Sequence, residues 1–168
     1  MSTPPSSPAR GPFDPPGVEW RGVSPRLVAA RLLVVSLWAL VPFAAGIVLA
    51  VAVTPWCWVL AAAALVGVCW AGWLVPRQVR ATGYAERADD LLIRRGIMFR
   101  SLVVVPYGRL QYVDVEAGPV AARFRIAQVQ LHTASPATDA AVPGLAPDDA
   151  ARLRDRLAAR GEARLAGL

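Results

Sequence analysis

The sequence predicts a two-helix transmembrane hairpin followed by a small antiparallel β domain that a C-terminal helix closes. Two observations carry this. Between Arg31 and Arg77 there is no Asp, Glu, Lys, Arg or His, whereas the residues beyond it alternate short β-branched runs with Gly, Pro and charged turns. A mean hydropathy of +0.42 with 55% hydrophobic residues is too apolar for an average soluble domain, and the excess is stored in that neutral block.

Residues 1–24 open the chain with six prolines by Gly17, alongside Ser, Gly and few large apolar residues. So little surface can be buried there that ordering is not offset, and a disordered tail is expected. It shows neither the basic start nor the early apolar run of a signal peptide.

The neutral block from Leu32 to Pro76 has 45 residues, about 67 Å as one helix against a hydrocarbon core of about 30 Å. It therefore crosses twice, within residues 27–80. A break at Pro42 leaves too short a first span. Thr54-Pro55 divides the block evenly into spans of about 32–53 and 56–75, with Pro42 as a mid-helix kink. Trp56 and Trp58 at the turn and Trp70 and Trp73 at the far end of the second span serve as membrane-interface anchors. Arg21, Arg26 and Arg31 precede the spans, Arg77 and Arg80 follow them, and the turn is neutral. The positive-inside rule then predicts a multi-pass protein of the cell membrane with both termini cytoplasmic. Cys57 and Cys69 lie about 18 Å apart on one helix, too far for a disulfide, and read as small hydrophobes.

In the second half, Leu91 to Ile93, Leu102 to Val105, Leu110 to Val115 and Ile126 to Thr133 read as strands. Gly96 supplies a turn between the first two. In the fourth, Ala127, Val129, Leu131 and Thr133 share one face and Gln128, Gln130 and His132 the other, as in a half-buried antiparallel strand. Pro147, Asp148 and Asp149 suit a helix start, and Ala150, Leu153 and Leu157 form its apolar stripe. That helix is expected to end near Gly161, leaving residues 161–168 as a tail.

The run Asp89-Asp90-Leu91-Leu92-Ile93-Arg94-Arg95-Gly96, then Val105-Pro106, Arg109-Leu110-Gln111-Tyr112-Val113-Asp114-Val115, Gly118-Pro119 and His132-Thr133-Ala134, resembles the YdbS-like family of bacterial pleckstrin-homology (PH) domain membrane proteins. The resemblance covers about residues 84–160, and two preceding spans are usual in that family. It implies a PH-like antiparallel barrel or sandwich capped by the C-terminal helix, a binding fold, with about eighty residues leaving room for fewer strands than a full PH barrel. One departure follows Gly118-Pro119: family members tend to show a basic residue and then Leu-Phe-Gly-Leu, where this chain has Arg123-Phe124-Arg125-Ile126. If that position needs positive φ, arginine costs about 1 kcal/mol and the local turn departs from the family's.

No catalytic constellation emerges. His132 is the single histidine, so no histidine dyad, triad or multi-histidine metal site forms within one chain. Asp89-Asp90 and Asp148-Asp149 are neighbours whose side chains diverge, and Asp114, Glu116 and Tyr112 share a strand face that reads as solvated. Nucleotide and hydrolase signatures are missing, and no cofactor or metal is expected. The net charge of +6 sits mostly beside the spans, where six arginines stand against Asp14 and Glu19, which argues against nucleic acid as a partner. Arg94, Arg95 and Arg100 flank the first hairpin turn, and Arg123 and Arg125 lie in a later loop. Either set could touch anionic headgroups or a partner, at about 1 kcal/mol per side chain near a charged surface. The expected function is a non-enzymatic adaptor or scaffold whose partner, beyond the lipid bilayer, is a membrane protein or a second copy, with an anionic-lipid sensor as the alternative.

Overall fold

The structure, a computed structural model, describes residue 15 and residues 18–134 and 139–166. A two-residue strand, β1 (Arg21–Gly22), precedes the helix α1 (Arg26–Ala52). A 3-10 turn at Pro55–Cys57 reverses the chain into α2 (Trp58–Arg80). There follow β2 (Gly83–Glu86), β3 (Asp90–Arg95), β4 (Ser101–Pro106), β5 (Leu110–Glu116), the short helix α3 (Pro119–Arg123), β6 (Ala127–Thr133), β7 (Ala140–Leu145) and α4 (Pro147–Ala166).

Both long helices are apolar enough to span a membrane and bury little of themselves within the chain, so they are not the core helices of a soluble domain. They exceed the neutral block at both ends, and each runs unbroken through its proline, Pro42 or Pro76. The helices meet closely where Gly46 faces Ala61: a Cβ on Gly46 would lie 2.7 Å from the Ala61 nitrogen. Close approach at small residues is how helices pack where lipid removes the hydrophobic drive between them.

The strands form two antiparallel sheets, β1-β2-β3-β4 and β5-β6-β7, which are not joined into a closed barrel. Leu91, Ile93 and Val105 from the first, Val129, Leu131 and Val142 from the second, and Leu153 and Leu157 from α4 share one core. The architecture is thus a PH-like sandwich capped by the C-terminal helix. Its first sheet is completed from the other side of the hairpin, because Arg21 pairs with Tyr84 and Gly22 with Gly83. The membrane hairpin is an insertion between the first two strands of a sheet.

Several expectations are corrected here. Of the disordered tail placed at residues 1–24, residues 1–14, 16 and 17 lie outside the described residues, but its end is ordered by β1 and by the Ser24 N–H donating to the Gly144 carbonyl at 2.8 Å. The domain begins at β1 rather than at residue 84, and β1, β2 and β7 exceed the expected strands. α4 continues through Gly161 to Ala166, so the tail placed at 161–168 is helical through Ala166, and residues 167 and 168 lie outside the described residues.

A second apolar cluster seats the hairpin on the domain: Leu27 and Ala30 of α1 and Val75 and Val79 of α2 pack with Ile126, Val120, Ala121 and Phe124 around α3. Gly144, at φ +70, makes room for Leu27, whose side chain would stand 2.8 Å from an added Cβ.

Gly46→Leu drives a side chain into backbone and should lower the thermal stability of the detergent-solubilised chain by the cost of overpacking, about 1–3 kcal/mol or more. Gly67→Leu, at a site with open space around its Cβ, should leave stability unchanged.

Candidate functional site

The strand register gives the domain two ends. Gly83, three residues beyond the last residue of α2, pairs with both Gly22 and Arg94, so the Arg94-Arg95 end of β3 lies with the bases of both helices. α3 and Gly144 join it there through the contacts with Leu27. The opposite, membrane-distal end holds Glu86, Asp90, Tyr107 and Arg160.

The five candidate arginines divide by this geometry. Arg94 and Arg95 are engaged internally. The Arg94 guanidinium lies over the Trp20 ring, 4.3 Å from its centroid, and Arg95 reaches across from the first sheet to donate to the Ala141 carbonyl of the second. Burial holds the Arg95 pKa below the ordinary arginine value, and the charge of Arg31 adds to that. Arg100, Arg123 and Arg125 are exposed, the first in the β3–β4 turn and the other two at the end of α3. The tryptophan anchors Trp56, Trp58, Trp70 and Trp73 are all exposed on the hairpin, and Arg77 stacks over Trp73 at 3.6 Å.

Arg125 has φ +52 for an identifiable reason. The Arg125 N–H donates to the Ala122 carbonyl (3.1 Å) and the Ile126 N–H to the Ala121 carbonyl (2.9 Å), the paired bonds of a Schellman helix end, whose left-handed position ordinarily takes glycine. The turn therefore keeps the left-handed conformation, with an arginine strained into it.

At the distal end, Glu86, whose side chain is 11% exposed, gathers Arg156 (3.0 Å), Arg160 (3.4 Å) and Arg21 (3.7 Å). Arg160 also donates to the Tyr107 hydroxyl at 2.9 Å, and that hydroxyl donates to the Arg87 carbonyl. Burial pushes the Tyr107 phenol up although Arg160 opposes it. This network joins β1, β2 and α4 across more than sixty residues of sequence and reads as structural.

The outer face of β5 and β6 carries a smaller polar group. Tyr112 stacks on His132 with ring centroids 4.3 Å apart, and His132 faces Asp139 at 3.2 Å and Asp114 at 4.0 Å. Asp139 accepts from the Thr133 N–H at 2.8 Å, and this bond, aided by His132, holds its carboxyl below the usual range. The strand patterns place Tyr112, Asp114 and His132 on strand faces but give no sign of Asp139, which immediately precedes β7. Among the described residues, no three His, Cys, Asp or Glu side chains converge as a metal-ligand set.

Among the described strands that edge a sheet, β5 is the longest, at seven residues. It pairs only with β6 and is an edge of its sheet, with exposed Gln111, Tyr112, Asp114 and Glu116. α4 packs beside it.

A family model described as bacterial PH domain matches residues 26–161, hairpin included. The chain is similar to the transmembrane protein YdbS of Bacillus subtilis strain 168, with 35% identity over 74 residues. The aligned stretch is 44% of this chain and 45% of that protein, so the match spans a little under half the length of the relative. No solved structure shows a significant match.

Arg125→Gly should stabilise the protein by up to about 1 kcal/mol, the cost of a left-handed non-glycine residue less the extra freedom glycine gives the unfolded chain. Denaturant titration of the purified protein checks this, with Arg123→Gly, inside the helix, expected to destabilise instead.

Proposed function

The chain belongs to the bacterial PH domain family, and on that footing we propose that this membrane protein is a non-catalytic adaptor, its domain on the cytoplasmic side holding a membrane-protein partner by strand addition to β5. The observation that carries the reading is the open β5 edge beside α4: seven residues of strand with pairing on one side only. Such an edge adds a partner's extended segment through main-chain hydrogen bonds, while side chains on alternate positions supply selectivity. Val113 packs toward the core and Val115 is partly exposed beside it, giving an incoming strand apolar contacts on the inner face. The apolar seat between hairpin and domain supports the same reading, since it fixes the edge relative to the membrane.

Anionic-lipid contact is the second reading, favoured by the exposure of Arg123 and Arg125 where α3 packs on the base of α1. Each basic side chain there adds about 1 kcal/mol of attraction to a charged leaflet. The cytoplasmic placement rests on arginines at the helix bases and a neutral turn.

A photo-crosslinking residue at Gln111 in the full-length chain, in native membranes, should capture one discrete protein, and the same residue at Asp155 on the exposed face of α4 should not. Absence of that adduct, together with anionic lipid that co-purifies with the chain and is lost in Arg123→Ala plus Arg125→Ala, would replace the adaptor by the lipid reading.

For the topology, Cys57→Ala plus Cys69→Ala supplies a thiol-free background. A membrane-impermeant maleimide applied to intact cells should label Thr54→Cys at the turn and leave Glu162→Cys unmodified until the cells are opened; the reverse pattern would invert the orientation.

A further inference from the structure

The β3–β4 turn consists of Gly96, Ile97, Met98, Phe99 and Arg100. Its backbone is fixed: Gly96 has φ +90, and a Cβ there would fall 2.0 Å from the Phe99 carbonyl oxygen, so only glycine closes this turn. The closure presents apolar side chains outward. Met98 is 86% and Phe99 87% exposed, more than Trp56 at 82%, which is the most exposed of the large apolar residues on the hairpin, and Ile97 adds to the same tip. A turn that displays Met and Phe to water forgoes the favourable burial of both side chains, so an exposed cluster of this kind calls for an apolar neighbour.

The location of the tip identifies that neighbour. Arg94 is level with Gly83, and Gly83 is level with Gly22, so the turn projects from the end of the sheet at which both spanning helices emerge. The four residues from Arg94 to Met98 can advance at most about 13 Å, and from the same level at Gly22 the chain passes Val23, Ser24 and Pro25 before α1 climbs about 7.5 Å from Arg26 to Arg31, where its neutral stretch begins. Arg31 is near enough to Arg95 for its charge to be felt there. The tip therefore stands beside the first turns of α1, at the level of the basic residues that flank its neutral stretch. Its flank carries the exposed Arg100, a side chain suited to the phosphate level while Met and Phe enter the acyl boundary.

We propose that the β3–β4 turn is a third membrane anchor: Met98 and Phe99 insert into the interfacial region of the same bilayer leaflet from which the hairpin emerges, and Arg100 contacts headgroup phosphates. The occupant of this patch is lipid, continuous with the lipid around the helices. The inference depends neither on a protein partner at β5 nor on which side of the membrane the domain occupies.

The test uses the full chain, with Cys57→Ala and Cys69→Ala, reconstituted in vesicles of phosphatidylcholine and phosphatidylglycerol. A polarity-sensitive fluorophore is attached at Met98→Cys or, as the control at the distal end, at Glu162→Cys. The fluorophore at 98 should emit to the blue of that at 162, be quenched several-fold less by aqueous iodide, and be quenched by lipids brominated near the headgroup end of their chains. Equal iodide quenching at the two positions overturns the proposal. So does shielding at 98 that grows with the protein-to-lipid ratio, which assigns the tip to a second copy. Because position 98 is exposed and outside both cores, the substitution leaves the fold intact, and circular dichroism of each labelled protein verifies this.

Discussion

The fold depends on one pairing constraint: the chain leaves the first sheet at Gly22 and re-enters it at Gly83, and these two residues are partners across β1 and β2. Everything between them must begin and end within the spacing of adjacent strands, about 4.8 Å, while packed helices stand 8–10 Å apart. Two helices joined by a tight turn meet that requirement, and a single span could not, because its ends lie on opposite sides of the membrane. The short connections, Val23, Ser24 and Pro25 on one side and Ala81 and Thr82 on the other, leave little slack. The cluster of Leu27, Ala30, Val75 and Val79 against Ile126 and Phe124 removes the rest. Hairpin and domain are one mechanical unit, so the angle of the helices in the bilayer sets the attitude of the domain.

This coupling also explains why strain is kept at Arg125. The Schellman bonds that force its positive φ end α3 at the point where Ile126 must turn into the seat beneath α1. Arginine there places a cation on the outer side of the seat while its backbone holds Ile126 inward. Glycine would make the turn equally well but would bring no charge to the membrane-facing end.

How much could be read from the sequence follows from the kind of solvent each segment meets. Lipid imposes a single requirement over twenty consecutive residues, so the neutral block and its midpoint at Thr54-Pro55 were legible, as was the alternation of β6, one face of which is core. β1 was not, since two residues carry no periodicity and their strand identity comes wholly from a partner some sixty positions away. β7 was hidden by Pro143 and Gly144, which break a strand pattern yet serve here to receive Leu27. The continuation of α4 past Gly161 was hidden by a similar signal. That glycine is buried within the helix, where an added Cβ would make only ordinary contact with the Tyr107 carbonyl oxygen at 3.8 Å, so neither a turn nor a close approach requires it and it does not end the helix. Among the candidate arginines, sequence could not separate Arg95 from Arg100, because the carbonyl that engages Arg95 is 46 residues away.

The separation of the arginines has an energetic consequence. Arg21, Arg156 and Arg160 converge on the Glu86 carboxylate, which offsets one of their three charges and holds the side chains within the domain. Arg100, Arg123 and Arg125 remain on the end that faces the helix bases. For a free domain, three such charges, each contributing about 1 kcal/mol near an anionic leaflet, would give weak and salt-sensitive attachment. Here the hairpin has already removed the translational freedom that association ordinarily costs. The same few kcal/mol therefore act on orientation alone, where a bias of 1.4 kcal/mol is a tenfold preference. On the lipid reading proposed above, the charge distribution suits a domain that needs no help reaching the membrane and only has to be held in one attitude, which would also fix the direction of the β5 edge.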